Sequence, residues 1–540
     1  METIFSIIID FFLQHKSIIA LYFLLGLSTP IISVALPHYY GKILGALQHK
    51  KPMHELKPKF IQLVALWITA QVFYSAMDRI DKFVLPKLQA HVRTKLVELV
   101  IEHTKFNFQE ISIGDIISKL LKVPVIVKEL FTQIRYVFLP SFMTLFFSVM
   151  YFFYVNPKLG FLSCVIILLG IFILYKKSKY SFEISKQADT SQNNLFEEIS
   201  DILVNVHSIH TACTQQQETE NIHKYTELHT NIFSKVITES SSLKLLFNTY
   251  YIFLMIMIVG YSIYLNIHNE ISTDRVASII IIVLYLINQL STISGEIRDL
   301  VIDIGIIKQI NQTLEHIYTD HTSQNGTIKS IGNSISFESV WFRYSNTTPY
   351  ILRNLSLSIL PNEKVCIVGK IGTGKSTFID LLLRFRDPTN GKILINHIEI
   401  KDIDIHTLRR GIGYIPQDTR LFNRTVLDNI LYGTDKTKTD ALDLIRLYNI
   451  QQLPDLDRYA GKYGEMLSGG QKQLVHLLRC LLKDTPIIVL DEPTASVDWE
   501  TKQDILSIIR NIHKTIVIVS HDPDVMTCCH RLISSSDFSN

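Results

Sequence analysis

Residues 245–265 read LLFNTYYIFLMIMIVGYSIYL, an apolar stretch without a single charged side chain. About 20 such residues cross the hydrocarbon of a bilayer as a helix, and each central Leu, Ile, Phe or Val favours insertion by roughly 0.3–0.6 kcal/mol, so this run enters a membrane unaided. Comparable runs occupy 18–36, 61–77, 137–155, 159–175 and 276–290. Six transmembrane helices are the simplest expectation, the second being the weakest because Gln71 interrupts it and Asp78-Arg79 ends it. A chain of 540 residues, 47% of them apolar, fits more than one domain with part of it in lipid. Its 53 basic and 50 acidic residues leave a net charge of +3 and no basic block of the kind that nucleic acid requires, so no nucleic-acid partner is expected. Six cysteines lack paired spacing, which argues against a metal or disulfide framework. The start of the chain has no basic region or cleavage site of a signal peptide and reads as a retained amphipathic lead-in.

Long and short connections alternate between the runs: 78–136 and 176–244 are long, 156–158 and 268–275 short. In the first long connection Leu85, Leu88, Val92, Leu96 and Leu99 recur at helical steps, and Ile116, Leu120 and Leu130 resume the pattern beyond Gly114. This predicts a helical hairpin leaving the membrane, with its tip at 106–114. After the sixth run Ile293, Ile297, Leu300, Ile304, Ile307 and Leu314 carry the helical period onward. The polar stretch 319–333, with Gly326 and Gly332, marks a boundary. The expected organisation is a membrane domain at 1–318, a linker at 319–333 and a second domain at 334–540.

The second domain carries the chemistry. An apolar strand candidate, Lys364 to Val368, runs into Gly369-Lys370-Ile371-Gly372-Thr373-Gly374-Lys375-Ser376, and Thr377 to Phe385 reads as the helix that follows. Glycines let backbone N–H groups turn inward around the phosphates of a nucleoside triphosphate, Lys375 adds a point charge, Ser376 offers a hydroxyl to Mg2+, and the helix N-terminus contributes its dipole. A second strand candidate, Pro486 to Leu490, ends in Asp491-Glu492, one carboxylate suited to the Mg2+ shell and the next to an attacking water. ATP is cytosolic, so this domain and the N-terminus are expected on the cytosolic side. Lys42, Lys50, Lys51, Lys57 and Lys59 then fall in the first outer connection, against the positive-inside tendency.

With Leu467-Ser468-Gly469-Gly470-Gln471 the chain resembles the ABC transporters, whose signature this sequence is, and the resemblance extends over its whole length. It implies an exporter-type half-transporter: a multi-pass all-α membrane domain of six helices, followed by an α/β P-loop nucleotide-binding domain, working as a homodimer or heterodimer. In that family ATP lies between the P-loop of one subunit, here Gly369, Lys370, Gly372, Thr373, Gly374, Lys375, Ser376 and Thr377, and the signature of the other, here Ser468, Gly469, Gly470 and Gln471. The same resemblance assigns Tyr344 to stacking on adenine, Gln417 with Ser376 and Asp491 to Mg2+, Asp498 to communication across the dimer, His521 to the γ-phosphate and Glu492 to the role of general base. Tips at 106–113 and 209–216 resemble the helices that couple the membrane domain to the ATPase.

Three departures stand out. The acidic loop expected before the signature reads Gly461-Lys462-Tyr463-Gly464, the segment between Gln417 and Leu467 is compressed, and the stretch after His521 lacks the terminal strands and glycine turn usual in the family. None removes a phosphate, Mg2+ or water contact, so hydrolysis is expected. An ATP-driven pump is the first functional reading; an ATP-gated channel or regulatory subunit is the alternative. Asn248, Tyr250, Tyr251, Asn288 and Gln289 in the fifth and sixth runs suit an amphipathic or weakly polar cargo such as a lipid, drug or peptide.

Overall fold

Backbone N–H and C=O groups have no water to bond in hydrocarbon, so a membrane-spanning chain must satisfy them within helices. The computed structural model describes residues 4–103, 113–319, 326–345, 347–370, 372–495 and 497–538. They form two compact units that part between Tyr318 and Thr319.

The first unit is helical throughout. After the short helix α1 (Ile4–Gln14) come α2 (Lys16–Gln48), α3 (Met53–His103), α4 (Ile113–Gln133), α5 (Leu139–Val155), α6 (Pro157–Val204), α7 (Val206–Ala212), α8 (Gln215–Ile267) and α9 (Thr273–Thr319). Among the described residues five stretches are long and apolar enough to cross a membrane: α2, most of α3, Leu120–Val155 across α4 and α5, α8, and Thr273–Lys308 of α9. The fourth predicted run is the apolar start of α6, Pro157–Ile173, shorter by this measure but continuous with a helix of 48 residues. The short connections fall where expected, between α5 and α6 and between α8 and α9. The tip predicted at 106–113 lies almost wholly outside the described residues. At 209–216 the chain turns: α7 ends at Ala212, the following Cys213 has a left-handed φ of 55°, and α8 starts at Gln215.

Two spans contain a widened turn, Ile31–Ala35 in α2 and Ile134–Phe138 between α4 and α5. Each is followed within two residues by a proline, Pro37 and Pro140. A proline cannot donate to the carbonyl one turn back and its ring needs room there, so the helix widens by a residue. Near this region Arg135 is almost fully buried and ion-paired to Asp78 at 2.8 Å and to the buried Asp81 at 3.1 Å. Asp81 also accepts from Tyr22 at 2.6 Å and from Tyr136 at 3.1 Å. The cluster therefore ties α2, α3 and the α4–α5 junction together.

The second unit contains two sheets. One is antiparallel, in the order β2-β1-β4-β5, from β1 (Ile335–Phe342), β2 (Leu352–Ile359), β4 (Asn390–Ile395) and β5 (Ile398–Glu399). The other is parallel, in the order β6-β7-β8-β3-β9, from β3 (Lys364–Val368), β6 (Ile412–Ile415), β7 (Ile487–Asp491), β8 (Thr515–Val519) and β9 (Arg531–Ser534). Strand side chains alternate between faces. Val365, Ile367, Val489, Val517 and Val519 join the core around the helix α10 (Lys375–Leu382), whereas Ile488, Leu490, Ile516 and Ile518 pack on the face of α11 (Gly469–Leu482) and α12 (Trp499–Asn511). Burial on both faces is why these strands read as unbroken apolar runs.

Two expectations need correction. The helix after the P-loop is α10, beginning at Lys375 and ending at Leu382, because Gly374 with φ of 91° supplies the turn into it. A terminal strand does follow His521: β9 pairs in parallel with β3, and the 3-10 turn Ser535–Phe538 closes behind it. Its four residues have only Ile533 buried, too few for a periodic signal. Phe538 stacks on Phe378 of α10, which stacks on Phe337 of β1. Within the linker Ile328 pairs with Ile403 and exchanges backbone hydrogen bonds with Asp402 and Asp404.

Arg135→Ala leaves Asp81 buried without its cation. The expected cost is about 3–5 kcal/mol, read as a lowered melting temperature in detergent micelles. Asn at the half-exposed Asp78 is expected to cost far less.

Candidate active site

In a parallel sheet, ligands collect where strands end and the chain turns away. Here three neighbouring strands, β7, β8 and β3, end side by side and deliver Asp491-Glu492, His521 and the P-loop to one place. The result is a cleft of about 410 Å³ lined by Tyr344, Gly372, Gly374, Lys375, Ser376, Thr377, Gln417, Asp491, Glu492 and His521, with Ile351 and Val519 as apolar walls.

The loop itself depends on its glycines at two points. Gly372 and Gly374 have φ of 83° and 91°, in the left-handed region that a Cβ disfavours. At Gly369 an added Cβ would collide with the hydroxyl of Ser535, which is fully buried. Ser535 is also 2.6 Å from the Thr373 hydroxyl, so the turn after β9 buttresses the P-loop. Lys375 folds its amine over the loop, donating to the carbonyls of Gly369 and Lys370, and lies 3.0 Å from His521 Nε2.

Opposite this cation stand the carboxylates. Burial, reinforced by the neighbouring Glu492 charge and by Asp380, pushes Asp491 up to about 6, with Lys375 pulling the other way. Asp380, buried on α10, is itself pushed up to about 6 by burial. Glu492 Oε1 lies 3.8 Å from His521 Nε2. The Glu492 backbone has φ of 48°, a costly conformation for a residue with a side chain, and its N–H is held by the Val519 carbonyl at 2.8 Å. An acid and an imidazole thus flank one opening, the arrangement that proton transfer from a water requires.

Tyr344 is partly exposed at the rim, its hydroxyl 3.0 Å from Thr377 and one face covered by the Arg386 guanidinium at 4.7 Å. The signature residues and Asp498 do not line this cleft. Ser468 caps α11: its hydroxyl accepts from the Gln471 N–H while the Gln471 side chain accepts from the Ser468 N–H. Gly469 and Gly470 form the first turn of that helix, with Gly470 packed against Val497 and Thr501. Asp498 caps α12, accepting from Thr501 N at 3.0 Å. Lys462 and Tyr463 sit on a short turn in which Tyr463 has φ of 56°. Of the polar residues in the membrane runs, Tyr250 donates to the Ile166 carbonyl and Gln289 accepts from Ser141, so both are engaged in helix packing. Sequence reasoning missed Ser535, Asp380 and Asp522, none of which has a motif of its own.

Comparison with known proteins follows this geometry. The ABC transporter family model matches residues 352–495, and the model of the ABC transporter transmembrane region matches 19–290, half of the chain. The chain belongs to the ABC transporter family. ATP binding, ATP hydrolysis and ATP-driven transmembrane transport come with that membership, as does a multi-pass place in the membrane; transporters of this family work as dimers. This ABC transporter is 28% identical over 470 residues to a putative export ATP-binding/permease protein of Rickettsia bellii, covering 85% of this chain and 79% of the relative. It is 38% identical over 245 residues to the mitochondrial iron-sulfur clusters transporter ATM1 of Gibberella zeae, covering 44% of this chain and 35% of that protein. Its fold matches the ATP-bound structure of a bacterial Atm1-family ABC exporter with a TM-score of 0.83 at 21% identity, over 97% of this chain and 93% of that one.

On α11 of this ABC transporter His476 is buried, and burial with the nearby Arg479 charge pushes it down to about 4, its hydrogen bond to the Arg420 backbone carbonyl opposing. The native imidazole is neutral, whereas the unfolded one gains a proton below its ordinary value of about 6.5. Its stabilising effect is therefore complete above 6.5 and lost as pH falls from 6.5 towards 4, at about 1.4 kcal/mol per unit. Chemical denaturation between pH 7 and 4 is expected to show a loss of about 3 kcal/mol that His476→Gln removes.

Proposed function

We propose that this chain is one half of a dimeric pump in which the cleft described above hydrolyses ATP on the cytosolic side. The observation carrying this reading is the convergence of Lys375, Ser376, Gln417, Asp491, Glu492 and His521 on a single cleft at the ends of adjacent strands. In this reading the N–H groups of the P-loop and of the first turn of α10 hold the phosphates, aided by Lys375, whose amine leaves the Gly369 carbonyl to meet them. Tyr344 presents its free face to the adenine. Glu492 takes a proton from the attacking water, and His521 bonds the γ-phosphate and keeps that carboxylate oriented.

Mg2+ suits this donor set. Ser376 offers a hydroxyl, Gln417 an amide oxygen and Asp491 a half-buried carboxylate, an all-oxygen set of the kind Mg2+ takes. Bound there, the ion would neutralise phosphate charge. Ser468, Gly469, Gly470 and Gln471, remote from their own cleft, are assigned to the ATP held by the other subunit, with Asp498 beside them. The exposed turn at 209–216 is assigned to coupling. Closure of two such ATPases then shifts the membrane helices between inward- and outward-facing forms, and hydrolysis resets them. A lipid, drug or peptide of amphipathic character is the cargo class favoured by the runs 137–155, 245–265 and 276–290, whose polar groups are uncharged.

Mg-ATP hydrolysis by the purified chain in lipid bilayers tests this reading. Glu492→Gln is expected to lower kcat by about 10²–10⁴-fold while ATP binding persists. Full activity in that variant would refute the assignment.

A further inference from the structure

Glu492 and His521 stand on two separate turns, at the ends of β7 and β8, and neither turn belongs to a regular element. Something must fix one against the other, since the Glu492 backbone occupies a region that costs on the order of 1–3 kcal/mol and persists only when its surroundings over-determine it. The backbone supplies one link, the Glu492 N–H to Val519. The side chains supply the second. Asp522, next to His521, accepts from the hydroxyl of Thr494 at 2.8 Å, two residues beyond Glu492. Lys502 of α12 donates to the same carboxylate at 2.8–3.0 Å and to Asp524 at 2.7 Å. Asp522 further accepts from the Asp524 N–H at 3.0 Å, opening the helix Pro523–Met526, and its own N–H bonds the Ser520 hydroxyl. Thr494 is nearly buried and Asp522 and Lys502 are mostly so, which keeps these bonds out of competition with water.

We infer that Asp522 is a positioning residue that clamps the Glu492 turn to the His521 turn through Thr494, and that Lys502 holds the clamp in register with α12, the helix capped by Asp498. Asp522 is not among the residues that line the cleft. It acts by fixing the separation of the two side chains that do, and its effect falls on turnover and not on ATP affinity. This rests on the roles proposed for Glu492 and His521.

Thr494 gives the cleanest test, because Val matches its shape without the hydroxyl and Ser keeps the hydroxyl without the methyl. Full-length chain in bilayers is expected to lose about tenfold in kcat on Thr494→Val with KM for ATP within about twofold, and Thr494→Ser is expected to recover most of the loss. Thr494→Val combined with Asp522→Ala is expected to be no worse than the poorer single variant, since both cut one connection. Amide hydrogen exchange reads the clamp without turnover: Asp522→Ala should raise exchange at Glu492 and Ala495 together with Asp524. The inference is overturned if exchange changes only at Asp524, if Ser fails to recover what Val loses, or if KM rises in step with the fall in kcat. A wild type that binds ATP without hydrolysing it would refute the proposed pump while the exchange result still decides the clamp.

Discussion

The parallel pairing of β7, β8 and β3 is the constraint from which the catalytic arrangement descends. Because each strand is buried on both faces, its register is fixed by the packing of alternate residues into two different cores, and a slip by one residue would turn every valine of one core into the other. Asp491-Glu492, His521 and Gly369 follow directly on those strands, so their relative height above the sheet is set before any side chain contributes. The P-loop then needs only local help, from its own glycines and from the turn at Ser535. The same logic explains why an energetically poor backbone at Glu492 is sustained: the strand beneath it has no freedom to relax.

The membrane unit solves a different problem. Its helices are satisfied internally, and what distinguishes one packing from another is a small number of buried polar contacts. Arg135 with Asp78, Asp81, Tyr22 and Tyr136 is the densest of these. Buried away from water, such a group is tolerated only with its partners in place, which makes the cluster a strong selector of one arrangement of α2, α3 and the junction of α4 and α5. The widened turns ahead of Pro37 and Pro140 show the backbone adapting to proline without losing its helix.

Much of this was legible beforehand. The strands β3, β7 and β8 could be read within a residue because each is a short apolar run leading into a motif, and the spans could be read because lipid imposes length. Helix ends were harder: α6 and α8 extend far outside their apolar stretches, whereas the continuation of α3 was visible in the helical steps from Leu85 to Leu99. Contacts that join distant parts of the chain left no trace. Thr373 with Ser535, Thr494 with Asp522, and Tyr22 with Asp81 are pairs of ordinary residues whose significance arises only from the fold. The strand β9 was missed for a related reason, being an edge strand with a single buried side chain.

The buttress at Ser535 has a bearing on how the molecule is made. Thr373 and Ser535 are 162 residues apart, and Phe538 completes the stack that steadies α10 from β1. A nascent chain that has already produced its P-loop must therefore synthesise the signature helix, the carboxylate strand and β9 before that loop acquires its support. Long-range closures of this kind are slow and entropically expensive. The P-loop thus gains this support only after the membrane helices, all of them upstream in the chain, have been synthesised.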